Sequence, residues 1–227
     1  MFYITGDTHA DFDFLKSFCM SNTTSLDDHL IILGDSGINY FDEFQSIKIK
    51  QYIAKQPITL VCIQGNHEER AENIKTYREQ QLFENTVLVE PQYPNIIFLK
   101  SGNIYNIKGK SVLVLGGAYS VDKQWRLTVG EKWFESEQLT ATERSEILKA
   151  VRDKHFDIIL SHTCPYSYQP HDTFKYDLIG VDTTMEQFLA SIAINTSYDD
   201  WYCGHFHIDR DVDNIHFRMN IIDTLEL

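Results

Sequence analysis

Five short polar motifs, each closing an apolar run, constrain this chain more than any other feature. They are Gly6-Asp7-Thr8-His9 after Met1–Thr5, Gly34-Asp35 after Leu30–Leu33, Gly65-Asn66-His67-Glu68 after Ile58–Gln64, Ser161-His162 after Ile158–Leu160, and Gly204-His205-Phe206-His207 after Trp201–Cys203. Short runs rich in Ile and Val read as buried strands. Asp, Asn and His at strand ends can converge on one edge of a sheet, where ligand sites tend to lie. Oxygen and nitrogen donors of this kind suit Mn, Fe or Zn. The pattern points to a hydrolytic metal site built on a sheet.

The spacing supports convergence. Asp7/His9 and His205/His207 are i, i+2 pairs, which share a strand face at a separation of roughly 6–7 Å. Glycine beside each pair lets the chain turn sharply, so each pair can fold round a small ion cluster.

Between the motifs, residues 11–20 carry Phe12, Phe14, Leu15 and Phe18 at helical spacing, and residues 40–55 read the same way. Residues 68–82 open with Glu68, Glu69 and Glu72, the charges a helix N-terminus favours. The first half is thus a βαβα pattern. Ile96–Leu99, Ile104–Ile107 and Val112–Leu115 then read as strands, with Lys108-Gly109-Lys110 a hairpin turn. A helix over 136–152 with Ser136 as its N-cap, a strand Asp157–Leu160, a helix over 183–194 and strands Trp201–Cys203 and Ile215–Ile222 complete the reading. The irregular stretch 165–180, with Tyr166, Tyr168, Phe174 and Tyr176, reads either as a lid over the site or as a surface loop packed by its own aromatics.

Composition bounds the function class. With 227 residues, 43% hydrophobic and 23% charged, the chain is expected to form a single globular domain over 1–227. A formal charge of −13 opposes binding to nucleic acid or anionic membranes. It leaves a phosphate substrate open, because bound metal ions dominate the local field. Cys19, Cys62, Cys164 and Cys203 form no CxxC pair and are read as reduced thiols, Cys62 as a core residue. No basic leader fits before Gly6, and no apolar run approaches the ~20 residues of a membrane span. A cytoplasmic protein is expected.

With these motifs in this order, the chain resembles the calcineurin-like metallophosphoesterases, in particular small bacterial and phage members, which carry segments like its Gly116-Gly117-Ala118-Tyr119-Ser120-Val121-Asp122-Lys123-Gln124-Trp125-Arg126. The resemblance implies an α/β (α+β) fold, a four-layer αββα sandwich of two mixed sheets flanked by helices. It also implies a dinuclear centre. Asp7, His9, Asp35 and His207 would hold one ion, and Asp35, Asn66, His162 and His205 the other, with Asp35 bridging. His67 would be the acid that protonates the leaving group. The ions would be divalent or trivalent transition metals, Mn first, with Fe, Zn or Ni as alternatives. Two cations ~3.5–4 Å apart clamp phosphoryl oxygens and acidify a bridging water to hydroxide. The expected partner is a small phosphomonoester or phosphodiester, a nucleotide included. The oligomeric state stays open. His29, His155, His171 and His216 are read as structural.

The chain departs from the protein Ser/Thr phosphatase branch. Ser36-Gly37-Ile38-Asn39 follows Gly34-Asp35, and Gln64 precedes Gly65, so the phosphate-clamping arginines of that branch are missing. Ile38 stands where a carboxylate would orient the acid histidine. Arg126 is the candidate replacement, since a guanidinium holds phosphate bidentately. Trp125 or Tyr119 would stack on a base or cover the site. Against this stands a plain surface ion-pair cluster of Asp122, Lys123 and Arg126. Rival readings of the whole chain are a nuclease and a metal-binding scaffold without turnover.

Overall fold

Alternation along the strands explains why the chain builds two sheets and three apolar layers. The computed structural model describes residues 1–173 and 180–227. In chain order the strands are β1 (Phe2–Thr5), β2 (His29–Ile32), β3 (Thr59–Cys62), β4 (Arg78–Leu82), β5 (Asn85–Val89), β6 (Ile96–Leu99), β7 (Ile104–Ile107), β8 (Lys110–Leu115), β9 (His155–Ser161), β10 (Ser197–Cys203), β11 (Arg210–Val212), β12 (Ile215–Phe217) and β13 (Asp223–Thr224). The helices are α1 (Asp13–Asn22), α2 (Glu43–Ile53), α3 (Lys123–Val129), α4 (Ala141–Val151) and α5 (Thr184–Asn195). One sheet has the order β13-β1-β2-β3-β6-β5-β4 and the other β11-β12-β10-β9-β8-β7.

Residues i and i+2 of each central strand share a face. Phe2 and Ile4 of β1, Ile31 of β2, Val61 of β3, Val112 and Val114 of β8, and Ile158 and Leu160 of β9 point between the sheets into one core. Their neighbours point outward. Leu30, Ile32, Leu60 and Cys62 meet Leu15 and Cys19 of α1 and Ile53 of α2. On the far side Leu113, Leu115, Ile159 and Trp201 meet Ile147 and Val151 of α4 and Met185, Leu189 and Ile192 of α5. The result is the αββα layering. Strands buried on both faces are continuously apolar, which is why these runs were readable without alternation.

Both sheets are mixed. β1, β2, β3 and β6 run parallel, while β13, β5 and β4 run antiparallel at the margins. In the second sheet β8, β9, β10 and β12 are parallel and β7 and β11 antiparallel. The β7–β8 hairpin turns at Lys108 and Gly109, φ +52° and +87°, the left-handed pair of a type I′ turn.

Several local readings are corrected. Residues 68–82 form no helix: a 3₁₀ turn at Ala71–Asn73 leads into β4. Glu68 does not charge a helix end, because it is fully buried. β4 is a solvent-facing edge strand paired with β5, so it lacks an apolar alternation to betray it. Helix α4 is capped by Thr140 with Glu143 in a reciprocal capping box, not by Ser136. The segment Ile215–Ile222 is not one strand. The Asp209 carboxylate accepts from the Met219 and Asn220 N–H groups, and the chain crosses from β12 in one sheet to β13 in the other. Of the aromatic stretch 165–180, Phe174 and Tyr176 lie outside the described residues; Tyr166–Tyr168 forms a 3₁₀ turn. All four cysteines are buried and free. Among the described residues no helix is long and apolar enough to cross a membrane.

Candidate metal centre

Five strand ends meet at one edge where the two sheets face each other. β1, β2 and β3 are neighbours in the first sheet, and β9 and β10 in the second. Each carries its motif at its C-terminal end, and ligand sites in parallel sheets form there.

The motif glycines make room for the neighbouring motif's side chain. A Cβ on Gly34 would lie 2.2 Å from His162 Nδ1, one on Gly65 2.0 Å from Asp35 Oδ1, and one on Gly204 2.3 Å from Asp7 Oδ1. Most of the sharp turning is done by other residues. His9, Asp35, His205 and His207 themselves take φ of +45°, +47°, +65° and +50°. Left-handed backbone at non-glycine residues costs of order 1–3 kcal/mol each and persists where the surroundings enforce it.

Those surroundings are hydrogen bonds between motifs. The His9 N–H donates to the Asp35 carbonyl at 2.8 Å. The His67 N–H donates to Asp35 Oδ1 at 2.7 Å, and the His205 N–H to Asp7 Oδ1 at 2.9 Å. Glu68 ties the loops after β2 and β3 together: its carboxylate accepts from the Ser36 hydroxyl at 2.6 Å and the Gly65 N–H at 3.1 Å. Burial, with the Asp35 charge adding to it, pushes the Glu68 pKa up to about 7.

The side chains then converge. Ligand atoms of Asp7, His9 and His207 lie within 4.8 Å of one another, and so do those of Asp7, Asp35 and His162. His9 Nε2 and His207 Nε2 are 3.0 Å apart. Asp7 Oδ2 is buried, 3.2 Å from His207 Nε2 and 3.9 Å from His9 Nε2, and makes no well-aligned hydrogen bond. His162 Nδ1 lies 2.7 Å from the Leu33 carbonyl, which accepts its proton and turns Nε2 toward Asp35 Oδ1 at 3.6 Å and Asn66 Oδ1 at 2.8 Å. The His205 ring centre is 5.0 Å from that of His162, and the His67 ring centre 5.9 Å from that of His9. Asp7 falls in both groupings, so the geometry does not divide the ligands into the two sets the resemblance implies.

Electrostatics agrees with a cation site. Burial favours a neutral His162, but the Asp35 carboxylate outweighs it and pushes the pKa to about 9. Burial favours a neutral Asp35, but the charge of His162 and its hydrogen bond hold that carboxyl far below its usual range. His205 is kept well below its ordinary value by burial and by the His162 charge, which leaves an imidazole lone pair to donate. Facing nitrogens and two buried acids are satisfied together by positive charge.

The substrate-binding candidates are placed unevenly. Arg126 sits on α3, its Nε donating to Asp122 Oδ2 at 2.7 Å and its Nη1 to the Tyr40 hydroxyl at 3.1 Å. The ion pair foreseen as the rival reading is therefore present. Lys123 lies over the Trp133 ring at 3.9 Å instead of joining it. Trp125 is exposed and Tyr119 half-buried. Gln64 donates to the Ser136 carbonyl at 3.0 Å, and Ile38 is buried against α1 and β2, so neither replaces the missing phosphatase groups. The pair Gly116-Gly117 packs closely against the Gln64 and Glu137 backbone. The sequence did not reveal the roles of Glu68, Ser120 and Glu137 in tying the site loops together. Glu68 was visible as the last letter of its motif, and Ser120 as the one serine in the glycine segment.

A further grouping, His155, Asp157 and Asp199, lies at the opposite ends of β9 and β10. Asp157 is already held by Lys110 Nζ at 3.0 Å and by the Ser111 N–H at 2.8 Å, so this cluster is internally paired.

A family model described as Calcineurin-like phosphoesterase matches residues 1–209. No curated protein matches the chain.

Proposed function

Since the chain belongs to the calcineurin-like phosphoesterase family, we propose that it hydrolyses a small phosphomonoester or phosphodiester, nucleotides among them, using two transition-metal ions. Asp7, His9, Asp35, Asn66, His162, His205 and His207 would hold them, with Asp35 shared. The observation that carries this reading is the facing pair His9 Nε2 and His207 Nε2, 3.0 Å apart, with the buried Asp7 Oδ2 3.2 Å from His207 Nε2. Mn is the first candidate ion, and the mixed imidazole and carboxylate donors are also compatible with Fe, Zn and Ni. Bound ions of this kind polarise phosphoryl oxygens and lower the pKa of water.

The chain's own residues supply the rest. His67 is the acid for the leaving group, its backbone N–H pinned to Asp35 Oδ1. Arg126 orients the phosphate. Its charge depresses the His67 pKa, so it lies within electrostatic reach of that ring. Its Nη2 has no partner among the described residues, while Nε and Nη1 are tied to Asp122 and Tyr40. The charge of −13 favours a small substrate over a polynucleotide. Four buried free thiols support a reducing compartment such as the cytoplasm.

Hydrolysis of p-nitrophenyl phosphate and of its bis ester, with added Mn²⁺ and single-stranded oligonucleotides in parallel, tests the proposal. Turnover of either small ester supports it. Cleavage of oligonucleotides alone supports a nuclease, and no turnover at all a scaffold.

A further inference from the structure

We infer that Ser120 and Glu137 are positioning residues that set which end of the Asn66 amide faces the metal ligands. The inference rests on the dinuclear reading above and extends it to a segment with no metal ligand of its own.

The segment after β8 is docked tightly. The Gly117 N–H donates to the Gln64 carbonyl at 2.8 Å, two residues before Asn66. A Cβ on Gly116 would stand 2.7 Å from that same carbonyl oxygen, and one on Gly117 (φ +91°) 2.5 Å from the Glu137 carbonyl oxygen. Only a glycine pair lets the chain pass between these two points. The passage delivers Ser120, 2% exposed, against Asn66, also 2% exposed.

The polarity of the hydrogen bonds follows from what each group can give. Glu137, 2% exposed, accepts on Oε2 from the Ser120 hydroxyl at 2.5 Å and from Trp133 Nε1–H at 2.8 Å. A carboxylate has no hydrogen to return, so the single hydroxyl hydrogen of Ser120 is committed to Glu137. Toward Asn66, Ser120 Oγ can then only accept, and it does so from Nδ2 at 2.9 Å. The amide's NH₂ therefore faces Ser120, and Oδ1 faces His162 Nε2 at 2.8 Å. The two ends of an amide are nearly alike in shape and opposite in chemistry. Only the oxygen end donates electrons to a cation. The chain Trp133–Glu137–Ser120–Asn66 thus presents the oxygen before any ion arrives.

Calorimetric titration of the full-length protein with Mn²⁺, repeated with Co²⁺ while its visible absorption is recorded, reads this directly. Wild type should show two binding steps. Ser120→Ala removes the acceptor. Glu137→Gln keeps the volume but can offer an NH₂, which frees the Ser120 hydrogen to point at Asn66. In each, one step should weaken ~10–100-fold, as for other residues that orient ligands, while the second stays unchanged. The Co²⁺ spectrum should change for the weakened site alone, with the melting temperature nearly constant. Two unchanged steps in both variants would overturn the inference. So would equal weakening of both steps with a fall in melting temperature, which marks a merely structural role. Should Ser120→Ala fail to fold, Glu137→Gln decides alone. If wild type itself fails to bind two ions, the dinuclear reading is what fails, and this inference falls with it.

Discussion

His67 shows how one residue's environment sets its use. Burial lowers its pKa below the ordinary 6.5, and the nearby Arg126 charge lowers it further against the pull of Asp35 and Asp122. The protonated form is the one that can give a proton to a leaving group. Turnover of an ester with a poor leaving group should therefore fall as pH rises through a value below 6.5. His67→Ala should abolish that limb, keep the metal content, and slow poor leaving groups far more than p-nitrophenol esters, by up to ~10²–10⁴-fold. Loss of metal, or equal slowing of all esters, would assign His67 to the ligands instead. Arg126 makes a different claim. Its Nε is engaged by Asp122, so Arg126→Lys removes a planar fork but keeps the charge. The expected outcome is clearly lower kcat/KM with unchanged metal content and melting temperature. Wild-type kcat/KM on every substrate would leave Arg126 as an ion-pair residue only.

At the scale of elements, strand ends were legible and edges were not. β1, β2, β3 and β9 are largely buried on both faces, and β10 is apolar only in its last three residues, so these runs and the polar motif closing each stood out. The β4–β5 hairpin was hidden because Arg78-Glu79-Gln80-Gln81 faces solvent and its acidic approach mimics a helix start. Helix α3 was hidden because none of its residues is buried, so no apolar stripe marks it. At Gly116-Gly117 sequence can show that a close approach is possible but not what is approached. The structure makes that specific. Gly117→Ala would place a Cβ against the Glu137 carbonyl at a left-handed residue. A cost of about 2–3 kcal/mol follows, or a melting temperature lower by roughly 4–12 °C for a chain of this size. A thermal melt showing no loss would mean that the 116–120 segment is not clamped as described.

At the scale of the molecule, the site exists only because two sheets face each other. β1–β3 bring Asp7, His9, Asp35 and Asn66, and β9 and β10 bring His162, His205 and His207. Motif order gave the list of candidate ligands. It could not give the contacts between sheets, such as His205 N–H to Asp7 or His162 Nδ1 to Leu33, which link residues 198 and 129 positions apart. Those contacts hold the left-handed turns and the Asp7 carboxylate in place, beside the groups that a cation would satisfy. The account therefore stands on metal-dependent hydrolysis with Asp35 shared between ions. Mn²⁺ titration of wild type and Asp35→Asn, with bound metal counted by elemental analysis and p-nitrophenyl ester hydrolysis followed alongside, tests it most directly. About two ions per wild-type chain, turnover that depends on them, and loss of both turnover and affinity in Asp35→Asn are the predicted results. Full two-ion occupancy in Asp35→Asn, or a wild-type chain that binds both ions and hydrolyses neither ester, would contradict it.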